Sequence, residues 1–142
     1  MINFDEYRDV FVVADTIDDV VHPVTYELIG QARRIAKELG QLVQVMLLGE
    51  NVQAEAEELV AHGADIVHVF ESPLLKYYTT DGYTKVLTDF FEDHKPNILL
   101  IGATNNGRDL APRMSGRMQN GVVADCTILT LSLIHISEPT RH

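Results

Sequence analysis

The sequence predicts an α/β domain built on a mainly parallel five-stranded sheet. Three features carry this: five short apolar runs, helical patterns between them, and runs that are apolar throughout instead of alternating with polar residues. The runs are Asp9 to Ala14, Leu42 to Leu48, Asp65 to Phe70, Asn97 to Ile101 and Val122 to Leu129. Their centres (VFVVA, LVQVMLL, IVHVF, ILLI) are nearly continuous in apolar residues, as in strands covered by helices on both faces. Alternation of strand with helix is the order of a parallel sheet with helical crossovers.

The first helix is expected from Pro23 to Leu39. Proline is tolerated in a first turn, and Gly40 supplies the left-handed cap. Leu28, Ile29, Ala32, Ile35, Ala36 and Leu39 fall on one face at helical spacing, with Arg33, Arg34, Lys37 and Glu38 largely outside it. A shorter acidic helix follows from Val52 to His62, closed by Gly63. Glu71 to Asp81 reads as an irregular connection, Tyr83 to His94 as a third helix, and Pro96 as the break before the fourth strand. No repeat, low-complexity tract or linker interrupts the pattern.

The 142 residues suit one domain, and 46% hydrophobic with 23% charged residues can form a core. A net charge of -10 repels nucleic-acid phosphates and anionic membranes. Cys126 is the only cysteine, so no internal disulfide can form, and a small buried hydrophobe in a reducing compartment is its expected role. The first residues, MINFDEYRDV, resemble neither a secretory signal nor a transit peptide, and no run approaches transmembrane length. A soluble, cytoplasmic protein is the expectation.

Between the fourth strand and its helix, Gly102-Ala103-Thr104-Asn105-Asn106-Gly107 has the GxxxxG spacing of a phosphate-binding loop. Its chemistry differs. Such a loop needs Lys then Ser or Thr, and Arg108 and Asp109 stand there. Pro112 fits only a first helical turn, which predicts a helix start at Arg108 to Ala111 with Asp109 as N-cap, its carboxylate accepting from the Ala111 N–H. The protein then provides its own anion. A structural turn is favoured over a simple nucleotide module, in which Asp15 and Thr16 would face the loop across the crevice of a doubly wound sheet.

Residues 101–126, IGATNNGRDLAPRMSGRMQNGVVADC, closely resemble the GAT..GRDLAPR....G..ADC signature ending the N-terminal domain of the electron transfer flavoprotein alpha subunit. His22 to Gly30 (HPVTYELIG) resembles that family's first-helix start, and Gly63-Ala64-Asp65 its turn before the third strand. The resemblance covers about Tyr7 to Thr130. Asn105-Asn106 and Ser115-Gly116 depart from it. It implies a Rossmann-like three-layer fold of the adenine nucleotide alpha hydrolase-like kind. It also implies a beta-subunit partner, an acyl-CoA dehydrogenase-type redox partner, and FAD carried by a C-terminal domain that is missing here. None of the FAD-contacting residues transfers to this chain, so the fragment is not expected to retain flavin. Electron-transfer subunits of acryloyl-CoA or caffeoyl-CoA reductases are alternatives, as are a stand-alone adenine-nucleotide module of the universal-stress-protein kind and a purely structural assembly domain.

The signature residues Gly107, Arg108, Asp109, Arg113, Arg117 and Asp125 are the candidate subunit interface. The three arginines recur at five- and four-residue steps in an acidic chain and could either dock on an acidic partner or pair internally with Asp109, Asp125 and neighbouring acids. His22, His62, His68, His94, His135 and His142 lack metal-ligand spacing, and no Ser/His/Asp, Cys/His or GxSxG arrangement occurs. No catalytic constellation is expected, in keeping with a carrier whose cofactor does the chemistry. Tyr77-Tyr78 could stack on a ring or cover a sheet end. The domain is expected to span 1–131. The tail from Ser132 to His142 resembles translated sequencing-adapter read-through and is expected to be non-native.

Overall fold

The computed structural model describes residues 8–117 and the backbone of 127–131. In chain order the elements are β1 (Val10–Val13), β2 (Thr16–Ile17), β3 (Val20–Val21), α1 (Val24–Leu39), β4 (Val43–Gly49), α2 (Gln53–Ala61), β5 (Ile66–Glu71), a 3-10 turn (Pro73–Leu75), α3 (Thr80–Asp93), β6 (Ile98–Gly102), α4 (Asn105–Arg117) and β7 (Thr127–Leu131).

Five strands form one parallel sheet in the order β5-β4-β1-β6-β7. Central β1 is in register with both neighbours, Val10 opposite Val43 on one side and Ile98 on the other. Its burial explains its composition. Val10 and Val12 pack beneath α1 and α2, against Leu28, Ile29 and Leu59. Phe11 and Val13 point to the opposite face, against Tyr83, Leu87 and Phe91 of α3 and Leu110 and Met114 of α4. Two helices on each face leave every β1 residue buried, which is why the strand shows no polar alternation.

The first four expected strands and the α/β class are present; β7 runs two residues past the expected end at Leu129, and Val122 to Cys126 lie outside the described residues. Gly40 caps α1 in the left-handed conformation, its φ at 67°, and donates to the carbonyls of Ala36 and Lys37. Three local features differ from the sequence reading. Thr16 to Val21 forms a two-stranded antiparallel hairpin, turned by Asp18 and Asp19 at φ 51° and 62°. These are the two positive-φ positions of the tight hairpin turn, where Asp is tolerated far better than most side chains. The connection after β5 is more regular than expected, because the Ser72 hydroxyl accepts from the Leu74 N–H and starts the 3-10 turn. Helix α3 starts at Thr80, three residues before Tyr83.

The fourth helix carries the main correction. It begins at Asn105, so Pro112 lies inside it and Asp109 lies beyond its first turn, not at its N-cap. Proline at 112 removes the bond that the Arg108 carbonyl would accept, and both residues lie on the exposed side of the helix, where water can satisfy that carbonyl. Asp125, Cys126 and the tail from Ser132 lie outside the described residues.

Candidate functional site

In a doubly wound sheet the strand order reverses beside the first strand, and the crevice opens at the carboxyl ends of the strands flanking that reversal. Here those strands are β1 and β6. The β1 end carries Asp15 and Thr16; the β6 end carries Ala103 to Gly107.

Thr104 organises this meeting. Its hydroxyl donates to the Asp15 carboxylate in a short hydrogen bond and accepts from the Gly107 N–H at 3.1 Å, while its carbonyl accepts from the Arg108 N–H at 2.8 Å. Thr104 is therefore the N-cap of α4. Asp15, whose own N–H donates to the buried Thr25 hydroxyl at 3.0 Å, sets a negative charge against the positive end of the helix. An internal anion does complete the loop, but it comes from Asp15 instead of Asp109.

Gly107 explains why the loop ends in glycine. A Cβ at this position would collide with the Gly102 carbonyl oxygen and lie 3.2 Å from Ile101 Cγ2. The first turn of α4 is pressed onto the end of β6. Around this contact, Val13, Tyr78, Tyr83, Ile101 and Leu110 close the crevice to a free volume of about 20 Å³. That suits a water-sized group, whereas organic ligands occupy several hundred Å³.

Tyr83 closes the crevice floor. Its hydroxyl donates to the Leu75 carbonyl at 3.0 Å and lies 3.3 Å from the Thr16 hydroxyl, which donates to the Leu48 carbonyl at 2.8 Å. Burial is the main cause of its raised pKa, so the ring stays neutral and can donate. Tyr78 crosses Tyr83 edge to face at 5.0 Å between centroids. Its phenol, pushed up to about 12 chiefly by burial, donates to Asp109 at 2.7 Å. Tyr77 is exposed, so this tyrosine pair divides between covering the sheet end and facing solvent.

The Asp109 carboxylate accepts from both Thr80 and Tyr78, which hold its pKa below the usual carboxylate value. It thereby ties α4 to the start of α3. Arg113 pairs with Asp81 of α3 one turn further on, with Asp81 itself exposed. Arg108 and Arg117 are exposed, and neither side chain makes a hydrogen bond or ion pair among the described residues. The expected cluster thus splits. Gly107, Asp109 and Arg113 join β6, α3 and α4, Arg108 and Arg117 face outward, and Asp125 is outside the described residues. Sequence reading missed Thr104 as the cap and Tyr83 as the floor; only Thr104, a capping residue type at a strand-helix junction, carried a local signal.

Among the described residues, no three metal-ligating side chains come together, and no helix is long and apolar enough to cross a membrane. His68 is part-buried on β5, its Nε2 2.6 Å from Gln44 Oε1, and Gln44 in turn donates to Asp9 at 2.6 Å. That chain lies towards the opposite, amino-terminal end of the sheet.

The electron transfer flavoprotein domain model matches residues 10–136. The chain is 45% identical over 124 residues to the electron transfer flavoprotein subunit alpha of Megasphaera elsdenii, covering 87% of this chain and 37% of that one. It is 46% identical over 125 residues to subunit LctC of the lactate dehydrogenase (NAD(+),ferredoxin) of Acetobacterium woodii, with coverages of 88% and 30%. The acryloyl-CoA reductase electron transfer subunit beta of Anaerotignum propionicum is 42% identical over 131 residues, with coverages of 92% and 36%. The chain spans about a third of the length of these curated relatives. A universal stress protein from Archaeoglobus fulgidus, solved in complex with dAMP, shares the fold at a TM-score of 0.55 and 15% identity, covering 87% of this chain and 97% of that one. The Rossmann-like three-layer fold and the signature around Gly107 thus agree with the matched model: the chain belongs to the electron transfer flavoprotein family, as an alpha-subunit N-terminal domain.

Proposed function

We propose that this chain is the scaffold domain of an electron carrier, which with a beta subunit passes electrons through FAD from an acyl-CoA dehydrogenase-type enzyme to a downstream acceptor. The closed crevice carries this reading. At the strand-end crevice where doubly wound sheets take ligands, Asp15 and Thr104 occupy the helix start and leave about 20 Å³. Neither an isoalloxazine nor an adenine ring fits there. The flavin therefore belongs to the part of the subunit found in the longer relatives, and this domain provides packing surface. A second reading, an electron-transfer subunit within a CoA-reductase complex, draws support from the similarity to the Anaerotignum propionicum protein.

Two measurements test the proposal. The purified chain is expected to show no stoichiometric flavin absorbance and no heat of binding with AMP or ATP; either signal would sink the scaffold reading. Coexpressed with a beta subunit, the chain should copurify, and Arg113→Glu should weaken that association if α4 faces the partner. Unchanged assembly with unchanged folding would remove α4 from the interface.

A further inference from the structure

The carboxyl edge of the sheet carries exposed apolar side chains that the closed crevice does not use. Ile17 and Val20, opposite each other in the β2–β3 hairpin, are 57% and 66% exposed, and Leu74 within the 3-10 turn and Tyr77 just after it are 84% and 60% exposed. Isolated exposed hydrophobics are ordinary, whereas several held together mark a contact surface. Here the two pairs stand on adjoining segments. Tyr83 bonds the Leu75 carbonyl and touches Thr16 at the hairpin base, and Lys76 Nζ lies 3.6 Å from Asp18 and 3.8 Å from Glu50.

The presentation is also rigid. Asp18 and Asp19 both hold positive φ, and the Asp19 carboxylate accepts from the Glu50 N–H at 2.9 Å and the Asn51 N–H at 3.1 Å. A hairpin this short is unstable by itself. The anchoring keeps two β-branched residues facing water in one fixed arrangement, which lowers the entropy lost when a partner covers them. Asp18 and Glu50 flank Lys76, and Glu71 stands near Asp19, so acids outnumber bases beside these side chains among the described residues.

We infer that Ile17, Val20, Leu74 and Tyr77 form a docking surface for a protein partner that presents an apolar helix face flanked by lysine or arginine. Charge complementarity selects this occupant. A second copy of this chain would set acid against acid, and the chain's net charge of -10 would add to the repulsion. The surface is separate from α4 and does not depend on the identity of the redox partner.

Fluorescence anisotropy tests this with a labelled amphipathic Leu/Lys peptide of about 14 residues, long enough for a helical face of several anchors. A Ser/Lys peptide of equal charge is the control, both in about 0.15 M salt. The chain should bind the Leu/Lys peptide saturably and at least about tenfold tighter than the control. The double variant Ile17→Thr/Leu74→Asn should lose about tenfold, the usual size of a contact-anchor loss. Tyr77→Ser alone should lose several-fold, and it covers the case in which the double variant fails to fold. Equal binding of both peptides would mean charge attraction only and overturn the inference. So would the absence of saturable binding, or a folded variant that binds as the original chain does.

Discussion

Gly107→Ala probes the contact on which the crevice depends. The added methyl has no room: it would meet the Gly102 carbonyl oxygen, and backbone cannot swing aside as a side-chain end can. Gly102 is held by β6, which pairs with β1 at Leu100 and with β7 at Gly102 itself. The start of α4 must move instead. That movement stretches the 3.1 Å bond from the Gly107 N–H to Thr104 and disturbs the link from Thr104 to Asp15. Overpacking of this kind costs about 1–3 kcal/mol and a lost cap about 1 kcal/mol, while exchanging helical Gly for Ala returns up to about 1 kcal/mol. The expected net loss is about 2–3 kcal/mol.

Urea unfolding measures it as a lower midpoint at unchanged slope, and for a chain of this size melting should fall by about 6–12 °C. Gly30→Ala is the matched control. Gly30 is exposed within α1 and has nothing within 4 Å of an added Cβ, so the same exchange should stabilise by about 0.5–1 kcal/mol. If Gly107→Ala unfolds within about 0.5 kcal/mol of the original chain, the helix start is not pressed against β6 and the closed crevice is misread.

Three further outcomes follow from individual side chains. Burial first, and the nearby His94 second, depress the pKa of His68 below its ordinary 6.5, so its contribution is complete above pH 6.5 and declines as pH falls towards the lower folded value; His68→Gln should flatten that part of the acid limb in unfolding measured from pH 7.5 to 5. Asp109 titrates below its ordinary 3.8 because Thr80 and Tyr78 donate to its carboxylate, so Asp109→Asn should lower stability at neutral pH and lose its effect as acid protonates the original carboxyl, which pH-dependent melting would reveal. The Thr84 hydroxyl is buried without a partner among the described residues, so Thr84→Val, nearly equal in shape, should raise stability by about 1 kcal/mol in urea unfolding; a loss of that size would mean the hydroxyl is bonded.

The strands were legible because their signal is local. Burial on both faces of Val10–Val13 and Val43–Gly49 requires apolar residues at successive positions, and that requirement is written directly into the chain. Gly40 was legible for a similar reason, since a left-handed cap after a helical pattern favours glycine wherever it occurs. The hairpin was not. Strands of two residues leave too little pattern to recognise, and Asp18-Asp19 reads as any polar loop until Asp19 is seen on the N–H groups of Glu50 and Asn51.

The signature run shows where local reasoning gives the wrong partner for the right chemistry. Pro112 and the adjacent acid suggest a helix starting near Asp109, yet the anion serving that helix comes from Asp15, 89 residues before Thr104. No spacing rule reaches that far. Once Thr104 is the cap, the neighbouring residues acquire distinct tasks: Gly107 admits the β6 carbonyl, Leu110 and Met114 enter the core, Asp109 receives Thr80 and Tyr78, and Arg113 meets Asp81. Glycine, acid, apolar and basic positions of the motif thus fasten one helix to a strand beneath it and a helix beside it. A run that resembles a phosphate loop in spacing works as a three-way clamp, and the clamp fills the space a phosphate would need.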